Sequence, residues 1–178
     1  MRELNIKKLK LLFCIVFVVF LQQSLVYAAE KNVYSNSGYA LPRFVSLANE
    51  QTNVRSGPGQ KYPVKWVINR KSLPVEVILE FDHWRKIKDH EGEEGWVFHT
   101  LLSGKRTAII MAKETIPAYK KPISSKDEKS IISIYLEPFV IADIQECEDT
   151  WCKITASGYT GWVERKSLWG VYETENID

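Results

Sequence analysis

From Phe44 onward the chain is a succession of short apolar runs, each too brief for a helix and each ended by turn-forming residues. Phe44-Val45-Ser46-Leu47-Ala48, Val64 to Ile68, Leu73 to Leu79, Trp84 to Ile87 and Trp96 to Phe98 are rich in β-branched and aromatic side chains. Gly, Pro, Asn and Asp separate them. After a short break at Leu102-Ser103-Gly104-Lys105-Arg106, a second series runs through Thr107 to Met111, Ile131 to Leu136, Phe139 to Ile144, Trp151 to Thr155 and Gly161 to Val163. Runs of this length and spacing predict strands and an all-β fold class, two small β-barrels in tandem. The two series are copies. An offset of 67 lays Leu73, Val75 and Val77 on Val140, Ala142 and Ile144, Trp84 on Trp151, and Ile87 on Ile154. One deleted residue changes the offset to 66, and Gly95-Trp96-Val97, Leu102 and Gly104 then fall on Gly161-Trp162-Val163, Leu168 and Gly170. The predicted domains are residues 42–104 and 105–172, and they leave no room for a separate catalytic domain.

Parity along the strands separates core from outer face. Trp84 and Ile87 are an odd number of residues apart, as are Trp151 and Ile154, so in a regular strand they point to opposite sides. If the isoleucines fill the core, the two tryptophans lie outside it.

The ends of the chain have a different texture. Arg2, Lys7, Lys8 and Lys10 precede an apolar run from Leu11 to Leu21, and small residues follow at Val26-Tyr27-Ala28. This pattern predicts a secretory signal over residues 1–28, cut after Ala28. The run is about half the ~20 residues a membrane-spanning helix needs, so no membrane span is expected in the mature chain. Cys14 lies inside the run behind Phe13, not where a lipidated cysteine would stand. Residues 29–41 are small and polar and read as a flexible lead. Residues 173–178 are acidic and read as a frayed tail. Without the signal the formal charge moves from +2 to −1, and no basic stripe remains, which argues against nucleic acid as a partner.

Two cysteines are left, Cys147 and Cys152, bracketing Glu148-Asp149-Thr150-Trp151. With Asp149-Thr150 as a two-residue hairpin turn, Glu148 pairs with Trp151 and the cysteines face each other at a non-hydrogen-bonded position, about 4.5 Å apart at Cα. This predicts a cross-strand disulfide, in keeping with export. The competing readings are a redox pair or half a metal site. Four intervening residues do not match the redox spacing, and no histidine lies nearby to complete a zinc shell. At the same positions the first repeat holds Glu80 and Arg85, an opposite-charge pair.

Catalytic arrangements find little support. His83, His90 and His99 all lie in the first repeat, whereas both remaining cysteines lie in the second and are engaged by the predicted disulfide. Asp82-His83 and Asp89-His90 sit in candidate turns, where aspartate bonds local backbone, and their spacing matches no familiar metal-ligand pattern. Glu91, Glu93 and Glu94 read as a solvated hairpin tip. No phosphate-binding glycine loop precedes a helix. No catalytic residue, metal or cofactor is assigned.

Asn53-Val54-Arg55-Ser56-Gly57-Pro58-Gly59 followed by Tyr62-Pro63, together with a mid-domain Trp84 and a closing Gly95-Trp96-Val97, resembles the bacterial SH3 (SH3b) domain family. Gly57, Pro58 and Gly59 form the structural turn of that signature, proline presetting φ and the glycines accepting angles other residues avoid. The likeness extends to the second repeat through Trp151-Cys152-Lys153-Ile154, Gly158 to Val163 and Leu168 to Tyr172. There Ile116-Pro117-Ala118-Tyr119 stands where the signature would be. The whole layout is similar to exported tandem SH3-like proteins of Gram-negative bacteria, which implies a periplasmic address. For function the resemblance implies a non-catalytic module that binds a peptide, either the stem peptide of peptidoglycan or a segment of an envelope protein. The expected ligand-binding residues are Tyr62, Trp66, Trp84 and Trp96 in the first barrel and Tyr119, Tyr135, Trp151 and Trp162 in the second. Alternatives are a cell-wall hydrolase with an unrecognised site, and a structural subunit in which the barrels pack together and cover their aromatic surfaces.

Overall fold

The computed structural model describes residues 37–123 and 130–178. The expected signal segment, the cleavage site after Ala28 and most of the lead lie outside the described residues. Among the described residues fourteen strands follow in chain order. The first repeat contains β1 (Arg43–Leu47), β2 (Thr52–Arg55), β3 (Val64–Ile68), β4 (Pro74–Phe81), β5 (Trp84–Lys88), β6 (Glu94–Phe98) and β7 (Leu102–Ser103). The second contains β8 (Thr107–Ile110), β9 (Ile116–Tyr119), β10 (Ile132–Leu136), β11 (Ile141–Glu148), β12 (Trp151–Ala156), β13 (Tyr159–Glu164) and β14 (Leu168–Trp169). Each repeat makes its own antiparallel sheet, in the order β3-β2-β6-β5-β4-β1-β7 and β10-β9-β13-β12-β11-β8-β14. The second order is the first with every strand advanced by seven. Among the described residues no helix is long and apolar enough to cross a membrane.

The duplication extends to the irregular backbone. Left-handed residues recur at Ser72 and Phe139, at Asp82 and Asp149, and at Gly92 and Gly158, the offsets already found between the tryptophans. The bulges recur too, between Val77 and Leu79 on β4 and between Ile144 and Glu146 on β11. A bulge bends its strand and strengthens the local twist, so both sheets curl at the same point. Asp89 Oδ1 accepts from the backbone N–H of Glu91 and Glu93 and closes the β5–β6 turn, the local role expected of an aspartate there.

Besides the two-residue strands β7 and β14, two longer strands fall outside the apolar runs of the sequence. β2 and β9 are each four residues long, and β9 contains Pro117, a residue that usually argues against a strand. They occupy equivalent places. Arg55 of β2 pairs with Trp96, and Tyr119 of β9 pairs with Trp162. β9 and β13 share only that one pair, so the N–H that Pro117 lacks breaks no ladder between them. The Gly57 turn also works differently from expectation. Neither Gly57 nor Gly59 has a positive φ. Gly57 is required because the Tyr62 ring lies over it: a Cβ there would meet the ring at 2.5 Å.

Each sheet wraps its own core, with Leu47, Val54, Val75, Val77, Ile87 and Val97 in the first and Ala118, Leu136, Ile144, Ile154 and Val163 in the second. β8 belongs to both. All four of its residues are buried: Ala108 and Ile110 point into the second core, while Ile109 joins the first. A strand covered on two faces reads as an unbroken apolar run, as Ala108-Ile109-Ile110 does. Further contacts cross the junction. Thr107 Oγ1 donates to Ser72 O at 2.8 Å, Phe44 packs edge-on against Trp169 at 5.0 Å, and Tyr172 Oη donates to Glu76 at 3.0 Å. Burial, together with Glu76, pushes the Tyr172 phenol well above its ordinary range, so it stays a donor. Both sheets thus lie in one compact unit.

Both ends are anchored more firmly than their composition suggests. Leu41 is buried in the first core, and Ser37 bonds the Glu80 carboxylate through its N–H at 2.8 Å and its hydroxyl at 2.7 Å, so the described part of the lead is docked. The acidic tail is held as well. Ile177 O accepts from Cys147 N at 2.8 Å, Glu175 pairs with Arg106, and Arg165 donates to the carbonyls of Tyr172 and Glu175. The tail expected to fray is thus held by Arg106 at the Glu175 carboxylate and by Arg165 at the Glu175 carbonyl.

Candidate functional site

Cys147 and Cys152 are bonded, their Cα atoms 4.1 Å apart and directly opposed, with Glu148 opposite Trp151 as the hairpin argument requires. In the first repeat Glu80 faces Arg85 in the same register, and Arg85 Nε reaches its carboxylate at 3.1 Å. Arg43 joins at 2.5 Å, and the Glu80 side chain is fully buried. Burial alone would raise the Glu80 pKa; hydrogen bonds from Ser37 and Arg43 outweigh it and hold the group below its ordinary value. The two hairpins are therefore clamped at the same point by different chemistry, a disulfide in one and an ion-pair cluster in the other. This leaves Trp84 and Trp151, next to the clamps, in fixed positions.

Ile87 and Ile154 are buried core residues, and neither Trp84 nor Trp151 belongs to a core cluster, in agreement with the parity argument. Trp84 is nevertheless largely covered, at 9% exposure, because Phe98 stands against it edge-on with ring centroids 5.4 Å apart. Trp151 is half-buried against Tyr119 in the same edge-on manner, at 6.1 Å. Each pair lines a groove. The first, of about 190 Å³, is bounded by Asn53, Arg55, Gln60, Trp84, Phe98 and the Thr100-Leu101 turn. The second, of about 210 Å³, is bounded by Ile116, Pro117, Tyr119, Ile123, Trp151, Glu164 and Ser167.

These are the same groove built twice. Through the matched strands Asn53 corresponds to Pro117, Arg55 to Tyr119, Trp84 to Trp151, Phe98 to Glu164 and Leu101 to Ser167. The volume of each suits one or two side chains of an extended ligand; a drug-sized molecule needs ~300 Å³ or more. Two roomier hollows, beside Arg43 and His99 and beneath the tail at Arg165, also lie at partly equivalent positions, His99 and Leu102 in one corresponding to Arg165 and Leu168 in the other.

The eight expected aromatic residues divide. Trp84, Tyr119 and Trp151 line the grooves. Trp96 and Trp162 share the outer face with them, since the pair Lys86–Trp96 lies two residues along from Trp84–Phe98, and the pair Lys153–Trp162 two residues along from Trp151–Glu164. Both are half-buried and stand outside the linings. Trp66 packs against the first core, with Lys65 Nζ 4.7 Å from its ring centroid. Tyr62 covers the Gly57 turn, and its carbonyl accepts from Arg55 at 2.8 Å. Tyr135 is exposed on the edge strand β10, opposite Pro117. Arg55, Phe98, Pro117 and Glu164 are not among the expected ligand-binding residues, although Arg55 and Pro117 each stand in a segment singled out for its place in the family signature. None of the histidines is in a groove lining: His83 stacks on His99 at 5.5 Å, both against Phe98 of the first groove, and His90 sits near Phe139 and Trp169.

A family model described as a bacterial SH3 domain matches residues 48–104 and again residues 112–170. The chain is 24% identical over 166 residues to a putative N-acetylmuramoyl-L-alanine amidase, YrvJ, of Bacillus subtilis, a match covering 90% of this chain. It spans only 30% of that relative's length. Solved structures of NlpC2 and NlpC1 from Trichomonas vaginalis are similar over 79% of this chain and about half of theirs, at 13% identity and a TM-score of 0.33.

Proposed function

The chain belongs to the bacterial SH3 domain family, and from that premise we propose that it is an exported, non-catalytic binding protein of the bacterial envelope whose two outer grooves take extended peptide. The proposed ligand is the stem peptide of peptidoglycan. The observation that carries this reading is the groove repeated at equivalent positions, each with a tryptophan wedged against a second side chain beside a hairpin clamp. A fixed aromatic ring offers apolar area at small entropic cost, and polar groups at the groove rim can orient a peptide backbone. The relative named as an amidase acts on the cell wall by its name, and the part of it that this chain matches is less than a third of its length. That favours a targeting role over hydrolysis for this chain, and the periplasm or outer surface as its address.

The test is co-sedimentation of the mature chain with purified cell wall, wild type beside Trp84→Ala and the double variant Trp84→Ala/Trp151→Ala. Wild type is expected to pellet, the single variant less and the double variant least. A wild type that stays in the supernatant removes the wall ligand and redirects the grooves to a peptide segment of an envelope protein. Release of soluble fragments from labelled wall by the isolated protein would contradict the non-catalytic assignment.

A further inference from the structure

The two grooves are alike in plan and opposite in charge. Where the first has Arg55 the second has Tyr119, and where the first has Phe98 the second has Glu164. Among the described residues no acidic residue lines the first groove and no basic residue lines the second. Arg55 Nη1 donates to two neutral acceptors, the carbonyls of Gln60 at 3.3 Å and Tyr62 at 2.8 Å. These bonds fix the guanidinium in place and leave its charge uncompensated. Glu164 meets Lys166 at 2.6 Å, but the lysine side chain is 78% exposed. An ion pair in open water contributes little and exchanges readily for an incoming amine.

Each charge also stands beside an aromatic wall, Arg55 beside Trp84 and Phe98, Glu164 beside Trp151 and Tyr119. Apolar rings displace water from one side of the groove, and a charge there is felt more strongly than one on open surface. We infer that the first groove selects a peptide carboxylate through Arg55 and the second selects a peptide amine through Glu164. The inference rests on the groove reading above and adds the chemistry that each groove distinguishes. Charge complementarity of this kind sets specificity more than total affinity, so the duplicated domains differ in what they admit and share how they hold it.

The experiment is calorimetric titration of the mature chain with three forms of one short peptide, Gly-Ala-Ala: acetylated with a free carboxylate, amidated with a free amine, and capped at both ends. The carboxylate form is expected to bind more tightly than the capped form, and Arg55→Gln is expected to abolish that advantage, on the order of tenfold, while Glu164→Gln leaves it intact. The amine form should show the converse dependence. Arg55→Lys keeps the charge without the guanidinium fork and should retain preference for the carboxylate, which separates loss of charge from loss of the loop that Arg55 supports. Equal affinities for all three forms, unchanged by either glutamine substitution but lowered by Trp84→Ala and Trp151→Ala, would overturn charge selection and leave the groove reading standing. Absence of binding by every form, or binding untouched by both tryptophan variants, would overturn the two together.

Discussion

Glu80 shows how far a single side chain governs the first repeat. Its carboxylate is fully buried and gathers Arg43, Arg85 and the Ser37 hydroxyl and N–H, fastening the lead to the first sheet. A carboxylate whose folded pKa is depressed stabilises the protein above its unfolded pKa, and that contribution is lost as pH falls through the folded value. Glu175, lowered despite burial by Arg106 and the Tyr172 N–H, works the same way for the tail. Thermal unfolding across neutral to acid pH should therefore show an acid decline that is shallower in Glu80→Gln, alongside a lower stability at neutral pH, about 3 kcal/mol for a broken buried pair. An identical acid decline in the variant would show that Glu80 does not drive it. The pairing with Arg85 was legible from the repeat, because the cysteines marked the position. Arg43 and Ser37 were not, since nothing in a polar lead announces which buried acid it will meet.

Among the elements, the hairpins β4–β5 and β11–β12 are the part most completely readable from sequence. Their apolar alternation, their turn aspartates and the cysteine spacing all specify one register, and the structure has it. β2 and β9 were unreadable for the opposite reason, being four residues long and broken in pattern by Arg55 and Pro117. Those two strands supply one wall of each groove, so the aromatic floor could be foreseen while its polar and proline-bearing wall could not. The disulfide closes a short loop and should contribute roughly 2 kcal/mol to the second repeat. Mild reduction is expected to lower the unfolding temperature of the wild type, and Cys147→Ser/Cys152→Ser should start lower and ignore the reductant. An unfolding temperature unmoved by reduction would mean that the core alone fixes this hairpin.

At the scale of the molecule, the two seven-stranded sheets expected from the repeat are present, and β8 joins them by serving both cores. Within a single sequence Ile109 reads as an ordinary core residue of its own repeat; only the alternation of its neighbours toward the second core leaves it facing the first. Ile109→Ala should cost about 2–5 kcal/mol and lower the stability of the first repeat, in which it does not lie in sequence. Equilibrium unfolding of the variant, followed separately by first- and second-repeat tryptophans, should remain coincident. Transitions that separate already in the wild type would show that the barrels fold independently. Joined cores also hold the two grooves on one body, so that the proposed peptide ligand would meet two fixed sites. The most direct test of that account is to titrate the mature chain with soluble peptidoglycan stem peptides while following the indole N–H signals of its six tryptophans by NMR. The account predicts that Trp84 and Trp151 shift first and furthest, with Trp66 and Trp169 unmoved. Shifts concentrated on Trp66 and Trp169, or shifts at none of the six, would contradict it.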